Sequence, residues 1–446
     1  MRLTQISLRN FKAIRAADIR PAALTVLIGR NNSGKSSILH ALALLAQSAN
    51  NPNQITTSGW IDLGSDLQEL ISLGASRTEG WTIQLLWTDN LPASDPIGPG
   101  QPVVIGFELH VPASTPPWSR IWVEVQSPPP RKVTLSARSD SNELVIQADD
   151  LRDATGRVMQ GFQDKRQIGS GQLWRYGIGY SAVMPAFESG TVADAQNVAS
   201  RNYPVEIAAR YLQQGIVDAL TQFQYIGPSR QFLHAQMGLR GQMPATIATA
   251  EDVAAAMAYR RNLERRVSER CRRIFHYGVE ILNVPGNVAI AAVDESDRTV
   301  NAVNMGSGFN QIAWMATVLE SRLIAQESQG ATFAAVGIEE PELHLHPAAQ
   351  SQVADVLRIY AASGVQILAT THSEHLLKAL LRLVLGGQLE ESQISVLYVE
   401  DGKVESLPVD DWGRVQGGLK GFFDVTEQEL GEHLDLLIDK KGSNQP

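Results

Sequence analysis

The stretch Leu24–Ser37, LTVLIGRNNSGKSS, constrains this chain more than any other. It satisfies G-x-x-x-x-G-K-[ST] at every fixed position: Gly29, Gly34, Lys35 and Ser36. An apolar run, Leu24–Ile28, leads in. Leading out, Ile38, Ala41, Leu42 and Leu45 recur at helical spacing, which predicts a helix with one buried face. Strand, glycine loop and helix is the context that separates a phosphate loop from a chance glycine turn. On average composition the fixed positions would coincide in a chain of 446 residues only roughly once in a hundred, before that context is counted.

A triphosphate is a dense negative charge, and this stretch offers three ways to hold it. Backbone N–H groups of Gly29, Arg30, Asn31, Asn32, Ser33 and Gly34 are expected to surround a phosphate, the glycines reaching dihedrals a side chain would forbid. The start of the following helix, at Ser36 and Ser37, points free N–H groups and a positive dipole end at the same anion. Lys35 adds a full charge toward the β- and γ-phosphates, and the Ser36 hydroxyl is expected to sit on Mg²⁺.

Composition narrows the alternatives. A net charge of -9 argues against a surface coated for nucleic acid but leaves room for a local basic patch. Cys271 is the only cysteine, so neither an intramolecular disulfide nor a thiolate zinc site is expected, which suits a cytoplasmic location. Arg2, Arg9 and Lys12 are not followed by an apolar signal core. No apolar run reaches the ~18 residues of a membrane span. The length exceeds what one compact core usually covers, so two lobes or an insertion are expected.

Leu3, Ile6 and Leu8 read as a first strand, expected to pair with Leu24–Ile28 across a short turn. Between Trp81 and Gln147, short apolar or alternating runs separated by Pro- and Gly-rich turns predict an antiparallel meander. From Tyr203 to Tyr277 helical patterns dominate, interrupted by YIGPSR at Tyr225–Arg230. A helix over 260–273 carries Arg260, Arg261, Arg265, Arg266, Arg270, Arg272 and Arg273 against two glutamates. Such a helix would grip a phosphate backbone. The commoner use of a charge run is a solvated face making surface ion pairs.

A second cluster begins near Asn304. NMGSGFNQ, Asn304–Gln311, opens a helix whose Ile312, Met315, Ala316 and Leu319 face a core. Thr332–Ile338 reads as a buried strand ending in Glu339-Glu340-Pro341-Glu342, and Val365–Thr371 as another ending in Thr371-His372-Ser373. Strand, helix, strand, helix means a parallel sheet, in which chemistry sits at the carboxyl ends of the strands. Two acids beside a phosphate loop divide the labour. Glu339 suits support of Mg²⁺, and Glu340 suits activation of the attacking water. A neutral His372 would hydrogen-bond the γ-phosphate or that water. His344 and His346 form an HxH pair, but with no third ligand in reach they read as interface structure rather than a metal site.

These motifs together resemble an ABC-type ATPase head of the SMC/Rad/RecF kind. GRNNSGKSS is similar to the Walker A loop, VGIEEPE to Walker B, NMGSGFNQ to the signature and ATTHS to the His switch. EEPELHLHP and GFFD (Gly421–Asp424) resemble stand-alone prokaryotic ATPases related to the overcoming-lysogenisation-defect group, a neighbourhood that includes ATPase subunits of the anti-phage systems Septu and PARIS. The departures are Glu339 where Walker B usually has Asp, and a degenerate signature whose core aligns with Ser307-Gly308 or with Asn310-Gln311. The lobe-linking glutamine of such heads aligns with Gln68 or Gln84.

The resemblance implies an α/β fold: a mostly parallel P-loop sheet, an antiparallel β meander in the N-terminal lobe and a helical insertion. It implies an N-terminal ATPase lobe over 1–150, a mainly helical insertion over 151–295 and a C-terminal ATPase lobe over 296–446. Its ligands would be ATP and Mg²⁺, with Lys35, Glu340 and His372 catalytic, and Ser36 and Glu339 on the metal. Its assembly would be a head-to-tail homodimer, or a multiple of dimers, in which Ser307, Gly308, Asn310 and Gln311 of one copy cap the phosphate held by the other. The expected activity is an ATPase gating a separately encoded effector. The alternatives are a repair-type ATPase that binds DNA ends through the 260–273 helix, and a largely non-hydrolysing ATP-dependent scaffold.

Overall fold

The computed structural model describes residues 1–49, 55–72, 74–75, 78–90, 100–113, 117–125, 131–138, 143–149, 151–152, 158–159, 162–167, 216–228, 233–239, 244, 246–329 and 334–416. Gly421–Asp424 and all of 168–215 lie outside them.

The chain opens with β1 (Arg2–Phe11), β2 (Ile14–Ile19), β3 (Leu24–Ile28) and α1 (Lys35–Ala49). The meander follows as β4 (Trp81–Asn90), β5 (Pro102–Val111), β6 (Trp118–Val125), β7 (Arg131–Arg138) and β8 (Glu143–Asp149). The short β9 (Leu151–Arg152) and β10 (Val158–Met159) precede β11 (Phe162–Gln167). Then come α2 (Val217–Gln222), β12 (Phe223–Ile226), β13 (Met237–Gly238), α3 (Ala250–Tyr259) and α4 (Arg261–Phe275). They are followed by β14 (Gly278–Val284), β15 (Asn287–Val293), β16 (Thr299–Asn301) and α5 (Ser307–Gln329). The chain continues through β17 (Ala335–Glu339), α6 (Pro347–Ala362), β18 (Gln366–Thr370), α7 (Glu374–Leu385), β19 (Ile394–Glu400) and β20 (Lys403–Leu407).

One 14-stranded sheet holds most of these strands, in the order β11-β8-β7-β6-β5-β4-β1-β2-β20-β19-β3-β18-β17-β12. Its P-loop portion, β19-β3-β18-β17-β12, is parallel throughout. The flank β11-β8-β7-β6-β5-β4-β1-β2 is antiparallel, which is the expected meander extended through β1 and β2. The fold is therefore α/β, with a parallel phosphate-loop core and a meander continuous with it.

The two portions bury themselves differently. In β4, Trp81, Ile83, Leu85 and Trp87 alternate onto one buried face. In β3, β17 and β18 every residue is buried, as helices cover both faces of a parallel sheet. Leu27, Ala335, Leu368 and Leu397 belong to the same apolar core as α1. Leu24, Val26, Ile28, Val336, Ile338, Ile367 and Ala369 share the opposite core with α3, α5, α6 and α7.

One expectation needs correction. β1 does not pair with β3. It turns through Lys12, whose φ is 51, and pairs with β2 and β4. β3 is drawn instead between β18 and β19, where both its apolar faces find cover. The region 151–295, expected to be mainly helical, holds both helix and strand among its described residues. Its described residues include α3 and α4, but β12 joins the main sheet beside β17, and β13, β14 and β15 form most of a separate four-stranded sheet completed by β16. Among the described residues no helix is long and apolar enough to cross a membrane.

Candidate functional site

β3, β18 and β17 run side by side in one direction, so the phosphate loop, Glu339-Glu340 and Thr371-His372 all leave the sheet at one edge. Gly29 makes the tight exit from β3. Its φ is 143, and a Cβ there would stand 2.2 Å from the Val399 carbonyl oxygen. Gly34 has φ 110, and a Cβ there would stand 2.7 Å from Ile14 Cδ1. Arg30, Asn31 and Asn32 are exposed at the loop tip, while Ser33, Gly34 and Lys35 are buried. Lys35 Nζ donates to the carbonyls of Gly29 (2.9 Å) and Arg30 (2.7 Å). Burial pulls its ammonium down to about 8, with Glu340 and Glu339 pulling the other way. Ser37 Oγ accepts the Ala13 amide (3.4 Å) and ties α1 to the β1–β2 turn.

The first acid of β17 reaches the loop directly. Ser36 Oγ donates to Glu339 Oε2 at 2.8 Å, across 303 residues of sequence. The hydroxyl proton is thereby committed to the carboxylate, and the oxygen's lone pairs are left for a cation. The glutamate, one methylene longer than the usual aspartate, reaches the serine by a direct bond. Its other oxygen, Oε1, accepts from Tyr225 Oη (2.8 Å) and lies 3.2 Å from His40 Nε2. Lys12 Nζ sits 2.7 Å from His40 Nδ1. An ammonium only donates, so Nδ1 accepts and the His40 proton sits on Nε2, facing Glu339. Burial pushes the Glu339 carboxyl up. Hydrogen bonds from His40, Ser36 and Tyr225 outweigh it and hold the group below the usual carboxylate range.

The second acid and the histidine face each other at the same edge. Glu340 follows the last residue of β17 in the left-handed region, φ 45, and its amide donates to the Thr370 carbonyl at 3.0 Å. Its Oε1 is 3.9 Å from His372 Nε2, and each side chain is one-third exposed. Burial lowers the His372 pKa and the Lys35 charge lowers it further, so the ring is neutral near pH 7. Glu342, the third acid of EEPE, turns inward. Its Oε1 accepts from Thr371 Oγ1 (2.5 Å) and from the His372 amide (3.1 Å), which fastens the end of β17 to the end of β18. Burial raises its pKa against those two bonds.

This donor set fits a magnesium-bound triphosphate. The Ser33 hydroxyl is buried inside the loop without a hydrogen-bond partner. Lys35 is buried on the loop's own carbonyls, and Ser36 already shares its proton with a carboxylate.

The phosphate-loop region, residues 1–82, matches a family model described as "AAA ATPase domain". Residues 201–378, from before Tyr225 through His372, match "AAA domain, putative AbiEii toxin, Type IV TA system". Both parts of the site lie within residues that these two models match. No curated protein matches the chain. Among solved structures the chain is similar to the SMC head domain from Thermotoga maritima, with 11% identity, 92% of this chain and 100% of that one covered, and a TM-score of 0.38. It is also similar to an Smc head bound to the C-winged helix domain of ScpA (12%, 91% and 98% covered, TM-score 0.41). A third is the Pyrococcus furiosus-derived Smc head with an extended coiled coil, bound to the C-terminal domain of ScpA (12%, 91% and 96% covered, TM-score 0.40).

The remaining candidate residues of this ATPase-like chain divide. Ser307 and Gly308 sit half-buried at the start of α5. A Cβ on Gly308 would stand 2.9 Å from Leu345 Cδ2, so the helix start packs on the loop that follows Glu342. Asn310 and Gln311 are buried, and Asn310 Oδ1 accepts the Leu233 amide at 3.1 Å. Both lie in the chain's own interior, whereas Asn304 and Gly306 of the same motif are exposed and Ser307 and Gly308 half-buried. Gln68 Nε2 donates to the Pro112 carbonyl (2.8 Å), and Gln84 lies within the meander opposite Ser7 and Glu108. His346 caps α6, its Nδ1 accepting the Ala348 amide, and His344 occupies a left-handed turn with φ 63. No cluster of three or more His, Cys, Asp or Glu suited to a metal exists among the described residues.

The basic helix α4 is engaged on its inner flank. Arg266 Nε and Arg270 Nε both donate to Glu320 of α5, at 2.8 and 3.1 Å, and Arg266 forks onto Glu327. Tyr360 Oη donates to the same Glu320 (2.7 Å), which is fully buried. Arg261, Arg265, Arg272 and Arg273 are the exposed ones. Replacing Arg266 and Arg270 together by Ala is expected to destabilise the fold by about 3–5 kcal/mol, since Glu320 is left buried and uncompensated. Urea unfolding measures this. Adding Glu320→Gln should recover most of the loss, and an unchanged midpoint in the double variant would mean that the pairs carry no weight. A test of nucleic-acid contact therefore needs Arg265 and Arg273, whose loss leaves Glu320 paired.

Proposed function

We propose that this chain is an ATP-binding and ATP-hydrolysing switch of the ABC type, serving as the ATPase subunit of a prokaryotic anti-phage or DNA-surveillance complex that gates a separately encoded effector. The observation that supports it most is the Ser36–Glu339 hydrogen bond at the strand edge that also carries Lys35, Glu340 and His372. The defence setting rests on the resemblance of EEPELHLHP to the overcoming-lysogenisation-defect neighbourhood. A cytoplasmic location goes with this reading.

In this reading Lys35 exchanges the Gly29 and Arg30 carbonyls for phosphate oxygens, and the Ser33 hydroxyl gains the partner it lacks. Ser36 and Glu339 would hold Mg²⁺, which would supply positive charge against the triphosphate. Glu340 takes the proton of the attacking water. His372 donates or accepts as a neutral ring, held in place by Glu342 through its backbone amide. Ser307 and Gly308 of a second copy complete the γ-phosphate shell in a head-to-tail dimer. Loss of that phosphate loosens the pair, and the effector feels the opening.

The test is steady-state ATP hydrolysis over a range of protein concentrations, with and without double-stranded DNA ends. A specific rate that rises with protein concentration supports catalysis across a dimer, and a flat rate overturns it. Stimulation by DNA favours the repair-type reading, while indifference to DNA favours a separate effector. ATP bound without hydrolysis favours the scaffold.

A further inference from the structure

The phosphate loop and the two strand-end acids do not account for one part of the site. Tyr225, His40 and Lys12 belong to no nucleotide-binding motif, yet they converge on the far side of Glu339. They come from three separate places: β12, the middle of α1 and the β1–β2 turn. Tyr225 is buried, and its hydroxyl donates to Glu339 Oε1 at 2.8 Å. His40 Nε2 lies 3.2 Å from the same oxygen and 3.2 Å from the Tyr225 hydroxyl. Lys12, 2.7 Å from Nδ1, fixes the tautomer that makes His40 a donor toward Glu339.

The consequence is an asymmetric carboxylate. Oε1 is held by two donors on one side, and Oε2 alone lies on the Ser36 side, 2.8 Å from Oγ. A carboxylate anchored in this way offers a cation beside Ser36 one oxygen, not two. That distinction separates divalent ions. Mg²⁺ is small, keeps near-octahedral geometry with several waters, and takes carboxylates through one oxygen. Ca²⁺ accepts more ligands and readily takes both oxygens of one carboxylate. A glutamate on a longer stem would otherwise swing and turn both oxygens to the ion.

Building on the nucleotide-site reading above, we infer that Tyr225 and His40 are positioning and specificity-determining residues: by holding Glu339 Oε1 they keep Glu339 monodentate and make the site discriminate Mg²⁺ from Ca²⁺. A structural role alone would give Tyr225 and Glu339 a reason to bond but no reason for cation preference to change when the bond is lost.

The experiment titrates a fluorescent ATP analogue into the full chain in the presence of Mg²⁺ or Ca²⁺, for wild type, Tyr225→Phe and His40→Gln, with thermal melting as a check on folding. The quantity read is the ratio of affinities in the two ions. If the whole of one hydrogen bond to a charged group is what tells the two ions apart, its loss is worth roughly tenfold or more in this ratio. Tyr225→Phe keeps the ring and removes only the hydroxyl, so its Mg²⁺-to-Ca²⁺ ratio should fall by about tenfold. His40→Gln should move it the same way. Ratios within about twofold of wild type in a folded variant, where a lost bond predicts at least tenfold, overturn the inference. Should one variant fail to fold, the other decides. A wild type that binds the analogue with neither ion would instead sink the nucleotide-site reading, so the two failures are distinguishable.

Discussion

Lys35→Ala is expected to weaken ATP binding by roughly 10²–10⁴-fold while leaving the fold in place, two charge-assisted hydrogen bonds being worth about 1.5–3 kcal/mol each. The argument starts from what Lys35 does without a ligand. Its ammonium is buried and bonded to the Gly29 and Arg30 carbonyls, and burial has already drawn its pKa down to about 8. Such a group gains more from a phosphate than an exposed lysine would, since little hydration remains to be lost. Removing it takes away the one cation among Gly29–Ser37 that lies inside the loop, as Arg30 is exposed at the tip. The fold tolerates the change, for Lys35 opens α1 and Ala is the best helix former. Lys35→Met, which keeps most of the stem, controls for the cavity. Titration of a fluorescent ATP analogue, with circular dichroism alongside, measures both parts. Retained tight binding in folded Lys35→Ala would mean that the loop is not the cradle.

The loop, the strand-end acids and the meander were legible because each is written in contiguous residues. Gly29 to Ser36 is a fixed pattern, and Trp81, Ile83, Leu85 and Trp87 alternate as a half-buried strand must. The acids are legible because they stop an apolar run. What the local pattern does not encode is which distant strands become neighbours. β3 left β1 for β18 and β19, and β12 came to lie beside β17, bringing Tyr225 to an acid 114 residues away. His40 was half-legible: it follows Ser36 by four residues on α1, so both share a helix face. Glu342 is not legible, for an acid after a proline carries no local mark of burial, and only tertiary contact makes it a latch. The basic helix shows the same limit. Leu263, Val267 and Cys271 form its buried stripe, and Arg266 and Arg270 flank that stripe. Their position marked them for burial, but Glu320, 54 and 50 residues on in sequence, could not be read as their partner.

Glu340→Gln is expected to lower the rate of ATP hydrolysis by about 10²–10⁴-fold, the usual weight of a general base, and to leave ATP binding intact. The amide matches the carboxylate in size and still faces His372, but it cannot accept a proton at neutral pH. Glu339 and Ser36, the proposed metal ligands, are untouched, so the nucleotide should still be held. If hydrolysis is what opens the assembly, the variant should accumulate ATP-bound dimers or multiples of dimers, visible by light scattering after size exclusion. Glu340 sits at φ 45, where a side chain costs about 1–2 kcal/mol. Glycine would relieve that strain and lose about 0.5–1 kcal/mol in chain entropy. Glu340→Gly should therefore melt no lower than wild type although it is inactive, the signature of a residue kept for chemistry at the expense of stability. Wild-type hydrolysis in Glu340→Gln would remove Glu340 from the role of base and pass it to another group at the strand edge. A lower melting temperature in Glu340→Gly would mean that its side chain holds the edge together through contacts that outweigh the strain.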